Sequence, residues 1–467
     1  MKYVSTRGDA PELSFDDVLL AGLATDGGLY VPDAWPTMPD GISGGWLKPF
    51  AGMKYEEAAF KVMRPFVVGA IADEDLLDII ETAYASFETP DVAPLVELSG
   101  GVHLLELFHG PTLAFKDVAM QFLGRAFDHV LAERDEKVVI VGATSGDTGS
   151  AAIEAMRDKS NIDIVMLHPE NRTSEVQRRQ MTTVLSPNVH NVAVRGTFDD
   201  CQALVKAMFN DAPFRKRHNL SAVNSINWAR VMAQVVYYVT SAAKLGAPDR
   251  DVAFCVPTGN FGNVFAAYVA RRIGVPISQL IVASNRNDIL TRFFETGSMT
   301  TGEVFTTLSP SMDIQVSSNF ERLLFELLDR DGAATAETMR RFAETGRYDV
   351  AEPVLKRALQ QFDGARCDDE ETSRMIKLAH DEHGMLIDPH TAVGLKAVHE
   401  KRRDPSVPMV VAATAHPAKF ADAVEAATGE TPKLPERLAD LLTRDERFTV
   451  LDNELGAIES FIDERLG

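Results

Sequence analysis

The sequence predicts an α/β protein built on open, mainly parallel sheets flanked by helices. Three observations carry this. From about residue 100, short runs rich in Val and Ile alternate with segments of helical periodicity: "VHLLEL" (102–107), "KVVIVGA" (137–143), "IDIVMLH" (162–168), "VHNVAV" (189–194), "VAFCVP" (252–257), "QLIVAS" (279–284) and "PMVVAAT" (408–414). Continuous apolar runs bounded by helices are the pattern of parallel strands covered on both faces. Two passages, "VVIVGATSGDTGSAAIEAM" and "VAFCVPTGNFGNVFAAYVA", share an outline of strand, small-residue loop with Gly-x-x-Gly spacing and Ala-rich helix. Finally, 467 residues of which 45% are hydrophobic suffice for two or three domains with real cores, or for one large enzyme with insertions.

Taken in order, residues 1–95 are expected to be mostly helical. "LSFDDVLLAGL" begins with Ser14 and has Asp17 three residues on, an acidic variant of the capping box. "TDGGLYVP" (25–32) reads as a turn and a short extended piece. In "ELFHGPTLAFKDVAMQFLG" (106–124), Lys116 stands between the apolar Leu113, Ala114 and Phe115 and a helix starting at Asp117. A lysine in that setting usually snorkels to water, yet apolar neighbours also suit a poorly solvated amine held for chemistry. Residues 320–383 read as helical and charged, with "FERLLFELLDR" amphipathic, and 431–467 as a helical appendage.

Composition narrows the function. With 47 basic and 68 acidic residues the net charge is −21, and no basic block offsets it, so neither nucleic acid nor an anionic membrane is an expected partner. Cys201, Cys255 and Cys367 are widely separated and form no CxxC or Cys/His cluster, which predicts neither a disulfide framework nor a metal site and fits a reducing compartment. The opening residues lack a signal-peptide core, and apolar runs such as "VPMVVAA" (407–413) are far too short to span a bilayer. A cytoplasmic, soluble protein is expected, with any anionic ligand held in a local basic pocket.

A glycine-rich turn between strand and helix exposes backbone N–H groups at the positive end of the helix dipole. "TGNFGN" (258–263) has this form, with Gly259 and Gly262 admitting close approach and Asn260 and Asn263 tolerating tight backbone angles. "TSGDTGS" (144–150) adds the hydroxyls of Thr144, Ser145, Thr148 and Ser150 around Gly146 and Gly149. Neither loop is a Walker loop or GxGxxG, so each suits a small phosphate or carboxylate. An amine in apolar surroundings, a phosphate nest and a second anion nest together make the parts of a pyridoxal-phosphate site.

"FHGPTLAFKD", "GATSGDTGSAA", "HPENRTSEVQRRQM", "VNSINWARVMAQ", "PTGNFGNVFAA" and "ATAHPAKF", with the opening "YVSTRG…FDDVLLAGLATDGGLYVP", resemble the threonine synthase family. The matches run in order from residue 1 to about 430. The resemblance implies the tryptophan synthase β-like fold: two open twisted, mainly parallel sheets flanked by helices, with a family-specific N-terminal region. The domains expected on that basis are 1–95, 96–235 with the lysine and substrate loop, 236–430 with the phosphate loop, and the tail 431–467. It also implies pyridoxal 5'-phosphate as cofactor and the conversion of O-phospho-L-homoserine and water to L-threonine and phosphate.

Carried over by residue, the resemblance makes Lys116 the Schiff-base lysine and Gly259, Asn260, Phe261, Gly262 and Asn263 the cradle of the cofactor phosphate. Thr414 becomes the partner of the pyridine nitrogen, although a cap of the following helix is its plain alternative. Thr144, Ser145, Gly146, Asp147 and Thr148 form the loop that receives the substrate carboxylate. An aspartate at 147 would repel a phenolate unless protonated or turned away, so no cofactor contact is given to it. Asn224, Ser225 and Arg230 are expected on the substrate phosphate, a planar guanidinium being suited to bidentate binding; Arg172, Arg178 and Arg179 are weaker candidates. His109 and His416 are expected to be packed or capping. A phospho-lyase releasing 2-oxobutyrate, a related dehydratase and a non-catalytic anion-binding protein are the competing readings. The expected assembly is a monomer or homodimer.

Overall fold

All seven runs that the sequence marks as strands are strands in the structure, a computed structural model that describes residues 1–38, 45–144 and 146–466. They fall into two sheets. The six-stranded sheet has the order Phe362–Arg366, Ile277–Ser284, Val252–Pro257, Met409–Ala413, Val102–Glu106, Leu95–Glu97. Its neighbours are parallel except the last pair, which is antiparallel. The five-stranded sheet runs Thr449–Asp452, Val189–Arg195, Ile162–Pro169, Val138–Ala143, Leu220–Ser221 and is parallel throughout. Central strands are the apolar ones: every residue of Val252–Pro257 is buried, as parallel strands covered on both faces require.

The chain groups into two compact units. One comprises Met1–Glu81, Phe87–His109 and Ser225–Pro432 and contains the six-stranded sheet. Its core gathers Cys255, Ile281, Val393 and Val411 from strands and from the helix Pro389–Lys401. Within this unit the N-terminal strands Tyr3–Ser5 and Tyr30–Pro32 pair antiparallel. Trp228 joins Tyr3, Trp35 and Phe66 in an aromatic cluster with ring centroids about 6 Å apart. The other unit comprises Thr82–Ser86, Gly110–Asn224 and Lys433–Gly467 and contains the five-stranded sheet. Its core joins Val139, Val141, Val165 and Val192 to Cys201 and Leu204 and to Ile458 and Ile462 of the last helix, Leu455–Leu466.

Three local expectations are corrected. Ser14 does precede the helix Phe15–Ala21, but its hydroxyl donates to Asp17 Oδ2 at 2.9 Å and caps no backbone N–H. The helical stretch 320–383 contains the strands Arg347–Asp349 and Phe362–Arg366. The tail is not only helical: Thr449–Asp452 pairs with Val192–Arg195 and forms one edge of the five-stranded sheet. All three of these strands sit at sheet edges, where fewer apolar residues are needed.

Candidate functional site

The loop after Val252–Pro257 is built as an anion cradle. Thr258 N donates to Ala283 O at 2.8 Å and Phe265 N to Phe261 O at 2.9 Å. Between them, from Gly259 to Val264, no backbone N–H finds a partner among the described residues. The carbonyls, by contrast, are tied back: Gly259 O accepts from Ser317 Oγ at 2.7 Å, and Asn260 O from Asn319 N and Nδ2 at 3.1 and 3.0 Å. Turning carbonyls away and leaving N–H groups unbonded at a helix start is what a phosphate requires. Gly259 is obligatory for space, since a Cβ there would lie 2.9 Å from Ser311 O. The left-handed residue is Phe261 (φ 64°), whose ring is gripped edge-on by Phe320 at 5.0 Å; packing thereby holds a conformation that a side chain disfavours. Asn263 Oδ1 accepts from Tyr237 and Tyr238 hydroxyls at 2.5 and 2.6 Å, while its buried Nδ2 has no partner.

Thr414 follows the strand Met409–Ala413, which is hydrogen-bonded to Val252–Pro257 with Val411 opposite Cys255. The threonine and the cradle therefore stand at the carboxyl ends of adjacent parallel strands, where α/β sheets bind ligands. Thr414 is buried. The cap of the following 3-10 turn Pro417–Phe420 is His416, whose Nδ1 accepts from Ala418 N at 3.2 Å. Burial pushes the His416 imidazole down to about 4, helped by His109; an Nδ1 that accepts must be unprotonated. His109 lies 2.8 Å from Glu106 Oε2 through Nε2. Both histidines thus have packing roles.

Arg230 is in the first turn of the helix Trp228–Lys244. It is 4% exposed, and its Nε and Nη1 have no hydrogen-bond partner among the described residues. Burial alone pushes the guanidinium down to about 10. An unpaired buried cation is costly, and an anion beside it would offset that cost. Arg230, Gln234 and Tyr237 share one helix face: Gln234 Nε2 donates to Arg230 O at 2.8 Å, and Tyr237, which bonds Asn263, also reaches Gln234 Oε1 at 3.1 Å. One hydrogen-bonded chain thus connects Arg230's turn to the cradle. Asn227 is occupied structurally, capping Ala229 N at 3.0 Å and donating to Leu19 O at 2.8 Å. Ser225 O accepts from Asn319 Nδ2 at 3.0 Å, and Asn224 is half-buried beside it in the chain. Arg178 binds Glu446 through Nε and Nη2 at 2.9 and 3.1 Å, Arg179 pairs with Glu175 and Glu446, and Arg172 is exposed. These three are structural or surface charges.

Lys116 is the first residue of the helix Lys116–Arg134 and its side chain is 11% exposed. Leu113 and Ala114 are fully buried beside it in the chain, and Nζ lies 4.9 Å from the Phe115 ring centre. The motif around it is a wound turn. Asp117 accepts from Thr112 N and Oγ1 at 2.8 and 2.6 Å, and Gly110 leaves room for the Asp117 side chain, which a Cβ would meet at 2.3 Å. Lys116 Nζ is 3.5 Å from Asp147 Oδ2. In the 144–148 loop, Thr144 Oγ1 accepts from Gly146 N and Gly149 N at 3.0 Å each, so this hydroxyl braces the turn itself. Thr148 is half-buried, Gly146 is the N-cap of Asp147–Met156, and Ser145 lies outside the described residues.

Sequence reasoning missed the residues that hold the loops in place. Asn319 ties Ser225 to Asn260, and the fully buried Arg322 donates to Tyr30 O, Ile226 O and Asn319 Oδ1. Burial pushes Arg322 down to about 9. The available signal was the polar "SSN" immediately before the amphipathic helix at Phe320.

Comparison with known proteins identifies the family. Residues 2–84 match the family model for the threonine synthase N terminus, 89–353 that for pyridoxal-phosphate dependent enzymes, and 391–462 that for the threonine synthase C-terminal region. A threonine synthase of Pseudomonas aeruginosa is 56% identical over 465 residues, covering 99% of this chain and 98% of that protein. A crystal structure of pyridoxal-phosphate-bound threonine synthase from Brucella melitensis superposes with a TM-score of 0.97 at 52% identity, covering 100% of this chain and 99% of that one. The yeast threonine synthase structure gives 0.94 at 39% identity, covering 100% and 98%. The chain belongs to the threonine synthase family of pyridoxal-phosphate-dependent enzymes.

Proposed function

We propose that the protein converts O-phospho-L-homoserine and water to L-threonine and inorganic phosphate. The observation that carries the choice of a phosphorylated substrate is Arg230, a buried guanidinium with Nε and Nη1 unpaired. The residues present also fit the cofactor. The unbonded N–H groups of Gly259–Asn263 and the Asn263 amide would hold its phosphate, Thr414 would meet its pyridine nitrogen, and Lys116 would carry it covalently. When bound, pyridoxal phosphate supplies an electron sink for charge developing on the substrate carbons. Thr414 is neutral and does not fix a proton on the ring nitrogen as a carboxylate would, which leaves more of the proton handling to Lys116.

The chain's own residues then divide the work. The 144–148 loop orients the substrate carboxylate at a helix start. Lys116 Nζ, released when substrate binds, takes the Cα proton and later a Cβ proton as general base, and returns a proton at Cγ. Arg230, with Asn224 and Ser225, neutralises the phosphate that leaves from Cγ. Water then gives its hydroxyl to Cβ and a proton is returned to Cα, which completes threonine. The three buried, unpaired cysteines suit a reducing cytoplasm, and among the described residues no helix is long and apolar enough to cross a membrane. Product analysis tests the reading: purified protein given pyridoxal phosphate and O-phosphohomoserine should release phosphate and threonine in equal amounts. Phosphate with 2-oxobutyrate and no threonine would establish a phospho-lyase instead.

A further inference from the structure

Lys116 and Asp147 are each the first residue of a helix, Lys116–Arg134 and Asp147–Met156. The two helices pack in parallel and in register: eight residues on in each, Gly124 faces Ala155, and a Cβ on Gly124 would lie 2.4 Å from Ala155 O. That register places Asp147 Oδ2 3.5 Å from Lys116 Nζ, with both side chains largely buried. The second carboxylate oxygen is also fixed. Asp147 Oδ1 accepts from Gln177 Nε2 at 2.9 Å, and Gln177 Oε1 accepts from Ser174 Oγ at 3.0 Å, which sets the amide with its N–H toward Asp147. Gln177 crosses directly over Gly146, where a Cβ would meet its Cδ at 2.6 Å. Several other charges on the packed elements have partners of their own. Asp117 holds Thr112, Glu154 faces Arg157, and Arg178 and Arg179 are paired with Glu446 and Glu175.

We infer that Asp147 is the charge partner of the Lys116 amine, a positioning residue that stabilises the ammonium each time Nζ carries a substrate proton. The inference rests on Lys116 being the cofactor-linked lysine. When the free amine acts as base, its lone pair forms a new N–H bond with a proton from the substrate carbon. The C–H electron pair stays on the substrate side, where the bound cofactor delocalises it. Nζ gains one positive charge beside one negative charge, and Asp147 neither gains nor loses a proton. The reverse transfer gives the same proton back to carbon. Burial alone disfavours an ammonium, whereas a carboxylate at this distance favours it, typically by about one to three pKa units. The aspartate thus makes the buried amine a stronger base without taking part in the proton inventory.

The neutral isostere Asp147→Asn separates charge from shape, because it still offers Oδ1 to Gln177. In the full-length protein freed of cofactor, the pH dependence of Lys116 labelling by trinitrobenzenesulfonate, read by peptide mapping, reports the amine's proton affinity. Asp147→Asn should move the midpoint lower by about one pH unit or more, and Asp147→Glu should return it toward the parent. In cofactor-loaded protein, the pH at which the absorbance band of the bound cofactor changes should shift in the same direction. An unchanged midpoint in Asp147→Asn, or equal shifts in the Asn and Glu variants, overturns the inference. Borohydride reduction keeps the two readings apart: if Lys116 is not the cofactor lysine, no label is fixed on its peptide, whatever the midpoint does.

Discussion

A guanidinium buried with Nε and Nη1 unbonded among the described residues carries a desolvation penalty that no described group offsets. Arg230 is therefore the residue whose replacement should discriminate best. Arg230→Met should lower kcat/KM for O-phosphohomoserine by roughly two orders of magnitude or more, and Arg230→Lys, which keeps the charge but loses the planar fork, by about tenfold or more. Neither should remove the absorbance of bound cofactor. Equal loss of cofactor in both variants would show instead that Arg230 serves the cradle. His416 gives a second test at this scale. Its folded value of about 4 lies below the ordinary 6.5, so the unfolded chain binds the extra proton first as pH falls. The His416 contribution is intact above about pH 6.5 and is lost toward pH 4. Urea unfolding at pH 7 and pH 5 should show the parent losing up to about 2 kcal/mol more than His416→Asn over that interval. The local settings of Lys116 at a helix start and of the 259–263 loop between strand and helix were legible in sequence because each lies in a contiguous motif. The braces were not: Asn319 is 59 residues from Asn260 and Glu446 is 268 from Arg178, separations that only folding closes.

At the level of elements, the spacing of two helices decides where two side chains meet. Gly124 has no side chain so that Lys116–Arg134 can close onto Asp147–Met156. Gly124→Ala would gain helix propensity, yet its Cβ 2.4 Å from a backbone oxygen must push the helices apart. The net effect should be destabilising by about 2 kcal/mol, seen as a lower denaturant midpoint, with the Lys116 labelling midpoint moving the same way as in Asp147→Asn. A more stable variant would mean that the interface yields at no cost. Glycine inside a helical pattern was visible in the sequence, but its partner was not. The same asymmetry separates the strands. Buried central strands such as Val252–Pro257 announce themselves by unbroken apolar runs. The edge strands "FDGAR" and "TVLD" carry Asp363, Arg366 and Asp452 and blend into the charged helical segments around them, because an edge leaves one flank of the strand uncovered.

On the scale of the whole chain, the last residues complete a unit begun far upstream. Thr449–Asp452 adds to the sheet edge at Val189–Arg195, and Ile458 and Ile462 enter the core formed by Val192, Val194, Cys201 and Leu204. Polar contacts secure the same join: Glu446 holds Arg178 and Thr182, Arg447 N donates to Thr182 O at 2.6 Å, and Asp463 binds Arg217 and His218. A tail that merely appended a helix would be dispensable. This one supplies a strand, two core side chains and the counter-charge of a half-buried arginine, so deleting 444–467 should expose the apolar face of the five-stranded sheet and leave Arg178 without its carboxylate. Each lost core isoleucine is worth about 2–5 kcal/mol when truncated to alanine, a large fraction of the marginal stability of a domain. The truncated protein should be poorly soluble, and limited proteolysis should cut within 110–224 before it cuts 225–432. The milder pair Ile458→Ala and Ile462→Ala should show the same order of cleavage in a protein that still folds. If both forms keep parental resistance across 110–224, the tail is ornamental and the sheet stands without it.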